Sequence, residues 1–428
     1  MIEEAPTRSP EEHYSHDEYT SKATISLQTL IKLNAKRNIN MMNTTPGFKA
    51  LLPIVVLSNI VVLTSCSEPD SPPADNLEAQ VEDYIKKFPH QDTHNYAMRY
   101  TEGDPTRFNV WVLGTEPTLV KAGEDKVVRM NNDTFYKMAF VILDDGPVVL
   151  KSSAPSRERF NSFQLMDDRN ANYRNVIYPD GEYTLFRGDK PSEIHGKTIR
   201  VPSSLSVVIV RVEVKDKDNA EDVAAAEAIF RGITIEGPVV SNVPHLDLLS
   251  GFDKDVEDEA IRRLDEAFAS LAFTETVLGP GQEPGKHVPY FSHAAGTKGG
   301  WGGPVPSHSA YEMIFTDNVG ETLDAAKGIY TITTDEPQVD AFWSITVYDT
   351  ERGGFLHPNE DDRYHINNTG AVKNEDGTIT FTFSQSCGKS DLNCLEVPAG
   401  TFDLAARYYL PHEEIISGAW TLPRPELQ

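Results

Sequence analysis

Cysteine and positive charge are both scarce in this sequence of 428 residues. Of its three cysteines, Cys387 and Cys394 form an isolated pair, and no second pair stands near them to complete a zinc site. Lysine and arginine together number 39 against 65 acidic residues, which gives a formal net charge of −26. Because such a surface repels phosphate backbones, we expect no nucleic-acid partner. The same excess of acid also keeps a protein soluble, which explains it without any partner.

Several common catalytic motifs are absent as well. The sequence contains neither G-x-S-x-G nor H-E-x-x-H, which removes the most recognisable hydrolases. No glycine-rich phosphate loop follows a strand pattern, so a nucleotide-binding fold is not indicated and we predict no cofactor. A catalytic group assembled from residues distant in the sequence would leave no such motif, so an enzyme stays an open alternative.

One long apolar run is present, from Leu51 to Leu63. It is too short to span a bilayer comfortably and has the length of the central region of a secretory signal peptide. Thr64 and Ser65 precede Cys66, and the whole stretch resembles a bacterial lipoprotein signal. We therefore predict that Cys66 is the lipidation site and that the lipid is the only contact with the membrane. By analogy with known lipoproteins, the absence of aspartate at Ser67 favours the outer membrane.

Composition divides the chain into six segments. Residues 1–40 are polar and precede the signal, which indicates a mis-assigned start near Met41 or a disordered extension. The signal peptide occupies 41–65, and an acidic Pro/Ser-rich tether occupies 66–78. Short β-branched runs separated by turns predict β domains at 79–215 and 299–428, joined by a helical and Gly/Pro-rich connector at 216–298. We predict a mainly β fold with two β-sandwich or jelly-roll-like domains joined by this small connector.

Some individual elements are predicted sharply. Leu205 to Val214 is the strongest strand pattern, and Asn219 caps a helix that ends near Gly232. An amphipathic helix from Leu77 to Phe88 is expected to stop at Pro89. Asn374 to Gly377 predicts a hairpin turn.

Two sets of short motifs carry a family resemblance. The N-terminal half contains Asn131 to Tyr136, Gly146 to Leu150, Arg159-Phe160 and Phe163 to Leu165; the C-terminal half contains Ala341 to Thr346, Arg363-Tyr364, Pro398 to Gly400 and Arg407 to Tyr409. From about Val81 to the end, the chain resembles the paired bacterial domains of unknown function numbered 1254 and 1214. The resemblance implies two β-sandwich-like domains joined by a helical region, and it implies no established reaction. Where such proteins commonly have Asn-Trp-Leu-Pro, this chain has Asn393 to Glu396, with Cys394 in place of tryptophan.

Polar residues at the predicted strand ends are the first candidates for a binding site. Asn132, Asp133 and Tyr136 combine an amide, a carboxylate and a phenol, which suit hydrogen bonding to a small polar or glycan ligand. Turn and strand-cap hydrogen bonding also explains the same residues, without any ligand. Gln164 and Asp167 lie on and just after a second strand, and Asp167 is a candidate catalytic carboxylate.

Histidines and aromatic residues of the connector are the second group of candidates. His293 is a candidate catalytic residue together with Asp167, and Trp301 is a candidate ligand-binding residue. Arg363, between His357 and His365 in the C-terminal β domain, is a further candidate for ligand binding. The spacing of His287, His293 and His308 does not bring three ligands together, so we predict no metal site.

Two functions are compatible with these patterns. The first is a lipid-anchored envelope protein that binds a small polar or carbohydrate-like ligand between its β domains. The alternative is an envelope hydrolase or lyase that uses a carboxylate and a histidine. Export also favours a disulfide between Cys387 and Cys394 over two free thiols. The oligomeric state is left open.

Overall fold

Two β-sandwiches, each built from two facing sheets, make up most of the structure. The computed structural model describes residues 74–124, 129–190, 192, 194 and 196–428. Predictions for the N-terminal extension, the signal peptide and Cys66 lie outside the described residues. The strands are β1 (Thr134–Ile142), β2 (Val148–Ser152), β3 (Asn161–Met166), β4 (Asn172–Ile177), β5 (Gly181–Phe186), β6 (Lys197–Arg200), β7 (Leu205–Glu213), β8 (Ile233–Glu236), β9 (Ser309–Ile314), β10 (Tyr330–Thr334), β11 (Val339–Asp349), β12 (Phe355–Leu356), β13 (His365–Asn367), β14 (Ile379–Ser384), β15 (Cys394–Glu396), β16 (Phe402–Pro411) and β17 (Glu426–Leu427).

The N-terminal sandwich pairs a sheet of order β1-β7-β3-β4 with a sheet of order β6-β5-β2-β8. Phe163, Val210 and Leu185 belong to the buried core between them. The C-terminal sandwich pairs β12-β11-β16-β9 with β15-β14-β10-β17, and β13 also pairs with β11. Its core includes Trp343 and Phe381. The predicted mainly β fold with two sandwiches is therefore confirmed.

Strand β7 shows why some strands lack a polar face. Its even-numbered residues, such as Val208 and Val210, pack into the sandwich core. Its odd-numbered residues, such as Val207 and Ile209, point to the opposite side and pack in a second buried cluster. All nine residues are buried, because both faces of the sheet are covered. Arg211 falls in the second set.

Five α-helices complete the described chain: α1 (Ala74–Thr101), α2 (Ala220–Arg231), α3 (Lys254–Phe268), α4 (Tyr290–Gly300) and α5 (Glu413–Ile416). Asn219 caps α2 by accepting from the backbone N–H groups of Glu221 and Asp222, as the sequence predicts. Helices α1, α3 and α4 pack together around a separate apolar cluster that includes Val81, Leu264 and Ala295. We call these three helices the helical layer.

Two local predictions are wrong. Helix α1 continues through Pro89 to Thr101; its buried residues on both sides of the proline, such as Phe88 and Ala97, supply packing that offsets the lost hydrogen bond. The turn at Asn374 to Gly377 joins no hairpin, because β14 pairs with β10 and β15 rather than with β13.

The Cys387 and Cys394 sulfur atoms lie at bonding distance, as predicted. Within the described part of the chain, no helix has the length and apolar character to cross a membrane.

Candidate ligand-binding site

The outer faces of two sheets, one from each sandwich, meet at a largely buried interface. Phe160, from the loop before β3, packs against Phe342 and Tyr409 of the C-terminal sandwich, with ring centroids 5.9 and 4.9 Å away. Phe342 and Tyr409 are stacked at 4.0 Å. Apolar packing therefore holds one part of the interface together.

A cavity of about 130 Å³ lies beside this packed region, and residues of both sandwiches and of the helical layer line it. Most of its wall is apolar or aromatic: Tyr100, Leu113, Met130, Met138, Ile209, Phe268, Phe273, Trp301 and Met313. Its polar lining includes Arg129, Asn131, Tyr136, Arg211, Tyr311 and Arg407. A mostly apolar wall with a few polar groups is typical of a site for a small molecule.

Arg211 and Arg407 occupy equivalent places in the two sandwiches. Each lies on a central strand, and each is opposite a tyrosine of a neighbouring strand: Tyr136 faces Arg211, and Tyr311 faces Arg407. The guanidinium carbons lie 5.3 and 5.2 Å from the centres of those two rings. The aromatic faces therefore help to orient both positive charges.

The Arg211 guanidinium donates only to neutral oxygens. Its Nη1 donates to Gln164 Oε1, and longer contacts of 3.4 and 3.5 Å join it to Tyr136 Oη and to the Gly302 carbonyl. The side chain is only 5% exposed. Among the described residues, no carboxylate oxygen lies within 4.0 Å of its guanidinium nitrogens.

Arg407 is held in a similar way and is 2% exposed. It donates to Thr346 Oγ1 at 3.1 Å and to Tyr348 Oη and the Arg129 carbonyl at 2.8 Å. Its Nε has no hydrogen-bond partner among the described residues, nor does any carboxylate there form an ion pair with it. Asp133 attracts Arg407 through space. Burial without a paired acid is costly for a charge that arginine cannot lose.

The third arginine of the cavity is neutralised. Arg129 forms two hydrogen bonds to Asp403, of 2.9 and 3.0 Å. The buried tyrosines do not supply negative charge, because burial raises the pKa of Tyr136 and Tyr409 and raises the pKa of Tyr348 to about 12. The cavity therefore carries an excess of positive charge within a protein that is strongly acidic as a whole.

Glycines at the end of α4 let the helical layer close the cavity. A side-chain Cβ at Gly299 or Gly300 would lie 2.4 or 2.5 Å from the rings of Phe268 and Phe273, so only glycine allows those rings to approach. Gln164 fixes the glycine segment by donating to the carbonyl groups of Gly302 and Gly303 at 3.1 and 2.9 Å. The cavity wall thus depends on both side-chain volume and backbone hydrogen bonds.

Two predicted site residues, Tyr136 and Trp301, line the cavity. Trp301 stacks on Tyr96 at 4.2 Å and donates to Thr93 Oγ1. Gln164 lies just behind the wall as the partner of Arg211.

Asn132 and Asp133 are buried at the start of β1 without lining the cavity. Asn132 donates to the Val120 carbonyl, and Asp133 accepts from Ser344 Oγ of the other sandwich. These contacts join segments of the protein to each other.

The remaining candidates lie elsewhere. Arg363 donates to the carbonyl groups of Asp391 and Leu392, in the loop closed by the disulfide. Asp167 accepts from the backbone of Arg169 and Ala171, and burial raises its pKa. His293 bonds the carbonyl groups of Thr276 and Arg169. Within the described part of the chain, Asp167 and His293 share no hydrogen bond or ion pair.

Sequence reasoning missed Arg211 and Arg407. The available signal is an arginine inside a mainly apolar strand pattern, in LSVVIVRVE and in FDLAARYYLP. Such a residue is buried when both faces of the sheet are covered, and burial of a charge is a marker of function.

Several histidines line a smaller cavity of about 50 Å³. It lies between α1 and the loop at residues 243–246, and its lining includes His90, His94, His245 and Asp168. His90 Nε2 lies 3.4 Å from Asp168 Oδ2. Among the residues that the structure describes, no three histidine, cysteine or acidic side chains converge in a way that could hold a metal ion.

Comparison with protein families matches both halves of the chain. Residues 112–237 match "Protein of unknown function (DUF1254)", and residues 308–413 match "Protein of unknown function (DUF1214)". A crystal structure of a protein from Vibrio parahaemolyticus is similar, with a TM-score of 0.66 and 19% identity over 82% of this chain and 100% of that chain. At that identity the likeness concerns the fold.

A second crystal structure, of an uncharacterized protein from Burkholderia cenocepacia, has 12% identity over 83% of this chain and 94% of that chain. Its TM-score of 0.43 is too low to define a common fold. The search among curated proteins found no match.

Proposed function

This chain belongs to the two-domain family of unknown function that combines DUF1254 and DUF1214, and we propose that it is a lipid-anchored envelope protein that binds one small molecule between its sandwiches. One observation carries the binding proposal: the cavity of about 130 Å³ has an apolar wall, and both sandwiches place a buried arginine at it. Groups from both domains converge there, so a bound molecule would contact both.

The volume of the cavity narrows the ligand. A cavity of about 150 Å³ is known to hold a benzene molecule, so this one has room for roughly one ring. A glycan of several sugar units is too large, and most of the wall offers no hydrogen bonds to sugar hydroxyl groups. The proposal is therefore limited to a single small molecule with an apolar part.

The enzymatic alternative receives no comparable support. Asp167, through Oδ1, and His293, through both ring nitrogens, form hydrogen bonds to backbone groups, and neither residue lines the cavity. We propose binding, with these two residues holding the local backbone in place.

Thermal-shift screening of the full chain tests the binding function. The compounds are neutral sugars, short aliphatic acids, and single-ring acids, alcohols and amides. A ligand at a hundredfold excess over its Kd adds about 2.7 kcal/mol to the free energy of unfolding. Met313→Trp, which fills the cavity, should abolish the shift, and Val319→Trp, at a surface position that is 76% exposed, should leave it intact.

Two outcomes count against binding at this site. One is a melting temperature that no compound changes; the other is a shift that persists in Met313→Trp.

The anchor has its own test. Cys66→Ser should abolish labelling by a radioactive fatty acid in bacteria and release the protein from the membrane fraction. Unchanged membrane association in this variant would show that another segment holds the protein there.

A further inference from the structure

We infer that the bound molecule is a small organic monoanion, a carboxylate on an apolar body of about one ring, whose head group is held by Arg211 and Arg407. This inference rests on the proposed binding function and specifies the ligand of that site. Its basis is the mismatch between charge and partners around the cavity.

Two buried arginines give the cavity its positive charge. Both guanidinium groups are nearly inaccessible to water, and both donate only to hydroxyl, amide or carbonyl oxygens. A buried charge is normally paired with an opposite one. No described acidic residue pairs with either of them, so a ligand carboxylate is the natural counter-ion.

Arg211 and Arg407 also have N–H groups that the protein does not fully use as hydrogen-bond donors. Arginine has five N–H donors, and Arg407 makes three hydrogen bonds within the described chain, with its Nε unpartnered. Two of the three contacts of Arg211 are 3.4 to 3.5 Å long and hence weak. Both guanidinium groups therefore retain donors that planar carboxylate oxygens can accept.

Asp133, the acidic residue near Arg407, indicates that the ligand carries one negative charge rather than two. Asp133 is fully buried, accepts from Ser344 Oγ, and acts on Arg407 without forming an ion pair. It offsets part of the positive charge, so a ligand with a single negative charge neutralises the remainder better than a dianion such as phosphate.

The rest of the wall determines the body of the ligand. Phe268 comes from the end of α3, Phe273 comes from the segment that follows it, and Met138 and Met313 come from the two sandwiches. Aromatic rings and thioether side chains pack well against an apolar ring. A carboxylate without an apolar part, such as formate, would leave this wall unfilled.

Calorimetric titration of the full chain at pH 7.5 tests the charge of the ligand. Benzoate, benzamide and benzylamine have nearly the same shape and differ in charge. We expect benzoate to bind about tenfold or more tightly than benzamide, and benzylamine not to bind. Because the ring is common to all three probes, the difference in their affinities measures the charge preference of the cavity.

Arginine variants locate the effect. Arg407→Met and Arg211→Met should each weaken benzoate binding about tenfold or more and change benzamide binding less than about twofold. Arg174→Met removes an exposed arginine on β4 of the same sheet as Arg211 and should change neither. If either cavity variant fails to fold, the ratio of benzoate to benzamide affinity in the unmodified protein tests by itself whether the cavity prefers an anion.

The outcomes separate this inference from the proposed function. If benzamide binds as tightly as benzoate and Met313→Trp abolishes both, the anionic ligand is refuted and binding in the cavity stands. Preference for benzylamine refutes the inference in the same way. If none of the three probes binds, the inference is refuted, and the binding function then depends on the wider screen.

Discussion

Asp92, on helix α1, links the protonation of one side chain to the stability of the fold. Burial raises the pKa of Asp92 to about 6, although the positive charges of Arg99 and Lys298 act in the opposite direction. The folded protein therefore binds this proton more tightly than the unfolded chain, whose aspartate has a pKa near 4. The stabilisation is complete below about pH 4 and is lost as the pH rises through about 6.

Replacing this carboxyl group by an amide should remove the pH dependence. We expect Asp92→Asn to raise the free energy of unfolding by up to about 3 kcal/mol at pH 7.5 and to have little effect near pH 4. Thermal unfolding at the two pH values measures the difference.

Asp83→Asn on the same helix is the control, because Asp83 is exposed and its ion pair with Lys87 contributes little. An Asp92→Asn protein that is less stable than the original at pH 7.5 would contradict the expected sign.

The two cavity arginines illustrate what sequence reasoning at the scale of residues misses. The motif around Asn132 and Tyr136 stands out because it clusters several polar groups in a short segment. Arg211 and Arg407 are far apart in the sequence, and each lies in a mainly apolar strand. Their significance arises only when two sheets face each other, which residue spacing does not reveal.

At the scale of elements, most predictions hold because they depend on local signals. The β-branched run of β7 and the cap at Asn219 are properties of neighbouring residues. The extension of α1 beyond Pro89 depends on packing against distant parts of the chain. Strand pairing is likewise non-local, so the expected hairpin at Asn374 was wrong.

Gly114 connects the segment before β1 to the strand itself. Its φ angle is +71°, and a Cβ there would lie 1.7 Å from the backbone oxygen of Tyr136. We expect Gly114→Ala to cost about 3 kcal/mol or more, because the left-handed conformation is unfavourable for alanine and the strand must also move. Chemical denaturation measures this loss.

Gly181 provides a matched control for that substitution. It has a similar φ angle of +67°, but nothing lies within 4 Å of its potential Cβ. Gly181→Ala should therefore cost only about 1 to 2 kcal/mol. Equal losses in the two variants would show that the close approach to Tyr136 contributes nothing.

At the scale of the whole molecule, the contact between the sandwiches determines how the chain unfolds. Phe160 is 2% exposed and packs on Phe342 and Tyr409 across the interface. Asp133 and Ser344 add a buried hydrogen bond between the two domains. We expect the folded chain from Ala74 onward to unfold in a single transition, because neither sandwich can lose this contact without exposing buried groups.

Phe160→Ala should uncouple the sandwiches. Removal of a buried phenylalanine costs about 3 to 5 kcal/mol, and here the lost contacts are those between domains. Differential scanning calorimetry should show two separated transitions. Phe163→Ala, which removes a ring inside the N-terminal core, should instead lower one common transition. A single transition in the Phe160→Ala protein would show that the remaining interface is sufficient for coupling.

The fold of the two halves was predictable, whereas their contact surface was not. Alternation along each strand identifies a core face, and the opposite face is expected to meet water. In this protein one sheet of each sandwich, β1-β7-β3-β4 and β12-β11-β16-β9, is also covered on its second face, by helix α1, by neighbouring segments and by the other sandwich, and the site is formed there. Arg211 and Arg407 therefore lie on the face that would be expected to meet solvent if each domain were considered alone.

The glycine segment after α4 has a consequence for the divergence of related proteins. The rings that limit the size of the cavity, Phe268 and Phe273, come from the end of α3 and the segment after it, whereas Arg211 and Arg407 come from the sheets. Selectivity for ligand length and selectivity for ligand charge thus depend on separate parts of the chain. A relative with a smaller side chain at the position of Phe273 could accept a longer acid and keep the same head group, so new specificities can arise without rebuilding the sandwiches.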